Sequence, residues 1–336
     1  MKEKVLYNVT VITATWNAMP LLARCAESVS CQRLPQGCTL EHLVVDGCST
    51  DGTVEFLKKW CIEAENRRYI SERDSGLYDA MNKGARLAFG EIIVFLNADD
   101  QFVDELSVAR SIAPILAGES DFVCAPAIVK KTDGSYSHTQ WPDLTLPYLS
   151  HPFNTQTLFM KRSDFMQLGG HDLSYKVAGD TDLDCKLFQA GLKGYALEEP
   201  TIVAQDGGFG VTHYYAHERA RILHAYQDDI HKRCARNSQY AYEYFLSLMR
   251  VSKVHPANSK LEKRNEAGRL LLLLHRQGRT YWPICCRVLS KLTEKMVLIP
   301  IQKGASVEKR SWKNVLLSFG LRCCMLFSPA KKGGEE

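Results

Sequence analysis

The chain has 336 residues, 45% hydrophobic and 24% charged, with a formal net charge of +4. That balance buries a full core and excludes a disordered or collagen-like chain, while the length allows two or three domains. The charge is uneven: from Arg279 onward eleven Lys or Arg face four Asp or Glu, a net +7 that leaves the preceding part at −3.

The first predicted element is a strand from about Tyr7 to Ala14, broken as an apolar run by Asn8 and Thr10. With only Met1-Lys2-Glu3-Lys4 ahead of it no signal peptide is expected, and no run of about eighteen apolar residues marks a membrane span. The cytoplasm is the expected location. The strand finishes in Thr13, Thr15 and Asn17, with Trp16 before the last. A second strand, His42-Leu43-Val44-Val45, ends at Asp46. It opens into Gly47-Cys48-Ser49-Thr50-Asp51-Gly52-Thr53 before a helical pattern through Val54, Phe56, Leu57 and Trp60.

Next, an acidic loop, Glu72-Arg73-Asp74-Ser75-Gly76, leads into a helix. Leu77, Ala80, Met81, Gly84, Leu87 and Ala88 recur at helical spacing and are expected on the sheet side, with Asp79, Asn82, Lys83 and Arg86 on the other surfaces. Lys83 or Arg73 is placed to meet a phosphate. Ile92-Ile93-Val94-Phe95-Leu96 then runs into Asn97-Ala98-Asp99-Asp100, a strand covered on both faces that ends in acid. In parallel α/β units such strand ends share one edge, where open sheets bind their ligands. Carboxylates crowded there repel one another and call for a hard divalent cation, magnesium usually bringing a substrate phosphate with it.

These stretches resemble the family 2 glycosyltransferases, an inverting group with the GT-A nucleotide-sugar fold. The matching segments are Thr13 to Ala18, Val44 to Thr53, Asp74 to Gly84 and Phe95 to Asp100, in the family's order and spacing. The resemblance implies an α/β fold of the GT-A type, Rossmann-like, with a mostly parallel sheet flanked by helices. It also implies that Thr13, Thr15, Asn17, Asp46, Asp74, Lys83, Asn97 and Ala98 hold the nucleotide-sugar donor, and that Asp99 binds Mg2+ or Mn2+. The chain departs from the family's Asp-x-Asp pattern at Asn97, which contributes no charge, so Asp99 must carry most of the ionic interaction.

Other signatures are missing. There is no Gly-x-x-x-x-Gly-Lys-Ser/Thr and no Gly-x-Gly-x-x-Gly after a strand, which argues against P-loop and dinucleotide chemistry. Twelve cysteines include no Cys-x-x-Cys pair and read as reduced structural thiols. His231 and Cys234 lack a second zinc-ligand pair at a recognisable spacing.

Further along, Asp121 to Ala127 reads as a strand, Ile128 to Ser137 as a hairpin turning at Asp133-Gly134, and Thr155 to Arg162 as strand-like. Relatives often have His-Gln where this chain has Thr155-Gln156. Asp180, Asp182 and Asp184 follow at two-residue intervals into a helix carrying Leu183, Leu187 and Ala190. On a helix Asp180 and Asp184 lie near one another while Asp182 points elsewhere. Asp180 can act as an N-cap. The family's catalytic carboxylate opens a helix after a Gly-Gly and a tyrosine-bearing loop, matched here by Gly169-Gly170 and Tyr175, so the resemblance implies that Asp180 is the general base. Gln205 to His213 suits a lid over the donor.

The expected organisation is a nucleotide-sugar-binding and catalytic domain over residues 1–215, with donor half about 1–105 and acceptor half about 106–215. A helical extension over 216–336 follows it. In that extension Trp312, Leu316, Phe319, Cys323 and Leu326 form an amphipathic stripe beside Lys309, Arg310, Lys313 and Arg322. Such a helix suits an anionic membrane surface as well as its own domain. Peripheral membrane contact through residues 280–330, at the inner face of the cytoplasmic membrane, would bring the enzyme to a lipid-linked glycan acceptor. No nucleic-acid module is recognisable. Two other classes fit part of the pattern. A non-catalytic nucleotide-sugar-binding protein would have little need for Asp180, and a nucleotidyltransferase normally brings a glycine-rich basic loop that Thr13 to Pro20 lacks.

Overall fold

The computed structural model describes residues 8–145, 147–148, 153–206, 213–236, 240 and 244. The first half runs β1 (Val9–Thr15), α1 (Leu21–Ser30), β2 (Leu40–Asp46), α2 (Thr53–Ile62), β3 (Arg67–Ser71), α3 (Leu77–Leu87) and β4 (Ile92–Phe95). Then come β5 (Gln101–Phe102), α4 (Ser107–Leu116), β6 (Phe122–Cys124), β7 (Ala127–Lys130) and β8 (Tyr136–His138). A 3-10 turn at Thr155–Thr157 precedes β9 (Phe159–Lys161), α5 (Arg162–Gln167), α6 (Gly179–Gln189), β10 (Gly194–Ala196), β11 (Ile202–Gln205), α7 (His213–Ala225) and α8 (Gln227–Arg236).

Seven strands form the main sheet in the order β10-β6-β9-β4-β1-β2-β3. Strands β4, β1, β2 and β3 pair in parallel, as do β10 and β6. Strand β9 is inserted antiparallel between β4 and β6. It is the shorter product of the Thr155 to Arg162 segment, whose first residues turn rather than extend. A second sheet, β5-β11-β7-β8, carries the expected hairpin, with Gly134 at φ +84° in its turn. Glycine adopts that left-handed conformation without a steric penalty.

The sheet is mostly parallel and flanked by helices, as the apolar runs require. Ile12, Leu43, Val45 and Phe95 pack with Tyr78, Met81 and Ala85 of α3 and with Leu183 and Leu187 of α6. Val9, Val11 and Val94 pack on the opposite face with Cys25, Val29 and Ile112. Burying each such Val, Leu or Ile contributes roughly 1.5–3 kcal/mol. Helix α3 approaches the sheet closely because Gly84 has no side chain: a Cβ there would lie 2.3 Å from Ile12 Cγ2.

Two expectations need correction. The buried face of α3 is rotated from the predicted stripe: Leu77 and Leu87 are exposed, whereas Tyr78, Asn82 and Ala85 are buried. Asn82 is drawn inward because its amide pairs with the His171 backbone, accepting its N–H and donating to its C=O, both at 2.9 Å. Secondly, the helical stretch expected from residue 216 starts earlier, at His213, and divides at Tyr226 into α7 and α8. Tyr226 donates to Asp182 at 3.0 Å, Arg219 donates to the Tyr148 carbonyl, and Tyr148 donates to Asp229 at 3.2 Å, so α7 and α8 pack on residues that precede them in the chain.

The lid segment 207–212, the helical extension beyond residue 244 and its basic amphipathic stripe lie outside the described residues. Among the described residues no helix is long and apolar enough to cross a membrane, and no cysteine is in a disulfide.

Candidate active site

The parallel register sets Thr15 beside Asp46, and Asp46 beside Ser71, at the C-terminal edge of the sheet. The Asp46 carboxylate is fully buried and accepts the Ser49 N–H at 3.1 Å and the Ser71 hydroxyl at 2.6 Å. Ser49 also donates its hydroxyl to Asp46 and accepts the Asn17 N–H at 2.7 Å, while Asn17 Oδ1 accepts the Thr50 N–H at 2.8 Å. Asn17 holds this position at φ +49°, a left-handed conformation that asparagine tolerates better than most residues. The Met19 N–H reaches Asp51 at 3.0 Å. These bonds fix the segment after β1 against the loop after β2.

Gly47 admits a third element. A Cβ there would lie 2.8 Å from Asp74 Oδ2, so the missing side chain lets the Asp74 carboxylate rest against the end of β2. Asp74 in turn accepts the Gly76 N–H at 2.9 Å, immediately before α3. Thr15, Asn17, Asp46 and Asp74 therefore line one corner, and the Thr15 hydroxyl oxygen is buried without a hydrogen-bond partner.

Two residues expected among them play other parts. Thr13 is fully buried with its hydroxyl 3.1 Å from His42 Nε2, inside the sheet packing rather than at its edge. Lys83 donates to the Arg73 carbonyl at 2.7 Å and pairs with Glu72 at 3.1 Å and Asp79 at 3.7 Å, so its charge is used in holding the acidic loop.

Past β4, the Asp100 N–H donates to the Asn97 carbonyl at 3.1 Å and closes a turn over Asn97-Ala98-Asp99-Asp100. Ala98 is buried against Leu22 and Val44. Asp100 is buried and accepts the Gln205 N–H at 3.2 Å; burial first, and then the Asp99 charge beside it, pushes its carboxyl up to about 7. The Asn97 amide oxygen is buried without a hydrogen-bond partner. No group of three His, Cys, Asp or Glu side chains suited to a metal exists among the described residues. Two carboxylates that repel each other beside an orphaned amide oxygen nevertheless form an oxygen donor set of the kind a hard divalent cation takes, with its other positions left to water or phosphate.

Asp180 is half-buried in the first turn of α6. Its carboxylate accepts the Thr181 N–H at 2.7 Å and stands 3.4 Å from both the Tyr78 and Thr155 hydroxyls. A carboxylate in that turn also has a favourable interaction with the helix dipole. Gly179 makes the approach possible: a Cβ there would meet the Tyr78 ring at 2.8 Å. Burial raises the Tyr78 hydroxyl far above its usual range, with Asp180 adding to it, so Tyr78 is a neutral donor to the carboxylate. Thr155 supplies the second hydroxyl. His171 supports the other side of Tyr78, with ring centroids 4.9 Å apart and Nδ1 3.3 Å from the Gly179 carbonyl. Burial outweighs that hydrogen bond and lowers the imidazole to about 4, so it is neutral.

Contacts thus run from Asp46 through Gly47 to Asp74, through the start of α3 to Tyr78, and from Tyr78 to Asp180. Asp99 lies just beyond β4, on the same sheet edge. Ser49, Ser71, Tyr78 and His171 were not singled out from the sequence, although the β2 to β3 register and the position of Tyr78 two residues past Gly76 carry a signal for some of them. Asp182 turns away into the packing with Tyr226, as its spacing predicts.

A sheet edge that presents carboxylates thus faces a helix start with a hydrogen-bonded carboxylate. The family model described as glycosyl transferase family 2 matches residues 10–176. A PGL/p-HBAD biosynthesis glycosyltransferase of Mycobacterium bovis is 31% identical over 181 residues, 53% of this chain and 69% of that protein. The putative teichuronic acid biosynthesis glycosyltransferase TuaG of Bacillus subtilis is 35% identical over 95 residues, 28% of this chain and 36% of that protein. The chain belongs to glycosyl transferase family 2 and is a glycosyltransferase. Its fold is similar to that of S. aureus TarS residues 1–349 in complex with UDP-GlcNAc, with a TM-score of 0.58 and 15% identity, covering 86% of this chain and 92% of that one. The chain spans half the length of a longer TarS structure.

Proposed function

We propose that this glycosyltransferase moves a sugar from a nucleoside diphosphate to an acceptor hydroxyl with inversion, using Asp180 as general base, in the assembly of an envelope or exopolysaccharide glycan. The observation that carries the reading is the Asp180 carboxylate, held by two neutral hydroxyls at the start of α6 and tied through Tyr78 to the Asp74 loop. The names of the mycobacterial and Bacillus relatives, of PGL/p-HBAD and of teichuronic acid biosynthesis, support the context. The UDP-GlcNAc held by TarS supports the donor class.

Asp46, Asp74, Thr15 and Asn17 hold the nucleoside end of the donor. Asn97, Asp99 and Asp100 would hold Mg2+ or Mn2+, which when bound supplies positive charge against the diphosphate leaving group. Asp180 takes the proton of the acceptor hydroxyl as its oxygen attacks the anomeric carbon, a contribution of roughly a hundred- to ten-thousand-fold. The bond from that carbon to the diphosphate breaks in the same displacement, so the anomeric configuration inverts. Thr13 and Lys83 act indirectly, by supporting the sheet edge and the acidic loop.

The acceptor is a glycan or a lipid-linked glycan, met at the cytoplasmic face of the membrane. The test is product analysis: NMR of the new linkage should show the configuration opposite to the donor's, and chelation should stop transfer until Mg2+ or Mn2+ is returned. Retained configuration would overturn the single displacement, and nucleotide-sugar binding without turnover would leave a binding protein.

A further inference from the structure

Helix α6 has no capping side chain of its own. Ala178 occupies the N-cap position and makes no side-chain bond there. The backbone amides leading into the helix are taken by a carboxylate that arrives 40 residues later in sequence. Glu218, on α7 and 6% exposed, accepts the Lys176 N–H on Oε1 at 2.8 Å and the Val177 and Ala178 N–H groups on Oε2, both at 2.9 Å. Buried amides without partners are costly, and charge-assisted bonds of this kind are short and strong.

Asp180 follows Ala178 by two residues. Its backbone N–H faces the Tyr78 hydroxyl at 3.4 Å, and its carboxylate is fixed by Thr181, Tyr78 and Thr155. The helix start that carries it is therefore held from two directions, by Tyr78 of α3 and by Glu218 of α7. The α7 grip extends along the same loop, where the Arg221 guanidinium lies 4.7 Å from the centroid of the Tyr175 ring. Among the described residues, Glu218 bonds the Lys176, Val177 and Ala178 amides, whereas Asp46, Asp74 and the Asn97 turn are held by other partners.

We infer that Glu218 is a positioning residue for sugar transfer, fixing residues 176–178 so that the Asp180 carboxylate meets the acceptor hydroxyl. The inference rests on the reading of Asp180 as general base. It separates two effects that a general loss of structure would join. A carboxamide at 218 keeps the size of the side chain but presents N–H to at least one of the three amides, a clash of donors that loosens the loop and leaves the donor corner intact.

The experiment compares wild type, Glu218→Gln and Asp180→Asn in full-length protein, measuring kcat, donor KM and UDP affinity below the unfolding temperature of each. Glu218→Gln should lower kcat at least tenfold, with donor KM and UDP affinity within twofold of wild type. A wild-type kcat in Glu218→Gln alongside an inactive Asp180→Asn would overturn the inference and leave the base in place. Turnover in Asp180→Asn would remove the base, and the positioning role with it. Loss of UDP affinity in parallel with kcat would mark a purely structural role and also overturn it. Should Glu218→Gln fail to fold, Glu218→Asp serves instead, since its shorter stem draws the carboxylate back from the amides: lowered kcat at unchanged donor KM supports the role, and a wild-type kcat overturns it.

Discussion

Tyr78 donates its hydroxyl to Asp180 at 3.4 Å, across 102 residues of sequence. The bond joins the two halves of the site. Tyr78 is the second residue of α3, which starts directly after the Gly76 amide that Asp74 accepts, so the donor corner and the facing carboxylate share one short, packed connection. His171 on one side of the Tyr78 ring and Gly179 against it leave the ring little freedom.

Tyr78→Phe keeps the ring and removes the hydroxyl. A hydrogen bond to a charged group is worth about 1.5–3 kcal/mol, and at 3.4 Å the lower end applies, so kcat is expected to fall roughly tenfold. Donor KM should change little, because Asp46 and Asp74 keep their partners. Steady-state kinetics at saturating acceptor reads the effect.

Gly179→Ala places a methyl 2.8 Å from the Tyr78 ring and must push α6 away from α3. Overpacking of this kind costs about 1–3 kcal/mol. Transfer should fall more than stability alone explains, as judged by denaturant unfolding and activity on the same preparation. Gly47→Ala makes the complementary test in the donor corner, where the new methyl meets the Asp74 carboxylate and nucleotide affinity is expected to weaken.

Acid sensitivity follows from two buried histidines. Burial, with the Arg67 charge adding to it, lowers His42 to about 3, and burial lowers His171 to about 4. Both ionise near 6.5 in an unfolded chain, so the stability they contribute is full above that pH and is lost as pH falls toward their folded values. Asp100 opposes them: raised to about 7, it is protonated in the folded protein at pH values where the unfolded chain has lost the proton. Two histidines against one aspartate leave a net slope of about 1.4 kcal/mol per pH unit between roughly pH 6.5 and 4.5. Urea unfolding with chelator present should show stability falling with pH in that window, and Asp100→Asn should steepen the fall about twofold. A flat profile would contradict the neutral state of both imidazoles.

The donor half is legible because its signals are local. Apolar runs ending at Thr15, Asp46 and Asn97 specify parallel strands, and parallel strands bring their ends to one edge without further information. The helix opening at Asp180 is legible in the same way. What escapes is set by contacts between distant segments. The inward turn of Asn82 depends on the His171 backbone, reached only once Gly170 takes φ +67° and leaves room for the amide: a Cβ there would stand 2.6 Å from Asn82 Oδ1. The insertion of β9 between β4 and β6 is a matter of sheet order that no periodicity encodes. Thr13 misleads because alternation along β1 turns its hydroxyl to His42 while Thr15, two residues later on the same face, reaches the edge. Glu218 escapes for the simplest reason, since a lone glutamate on a predicted helix gives no sign that three amides await it.

The most direct test of the account is Asp180→Asn, assayed for sugar transfer and for UDP binding on one sample. The account predicts transfer reduced by at least a hundredfold with UDP affinity unchanged, the amide retaining an acceptor for the Tyr78 or Thr155 hydroxyl but lacking the basicity to take a proton. Transfer at a rate near wild type would contradict it.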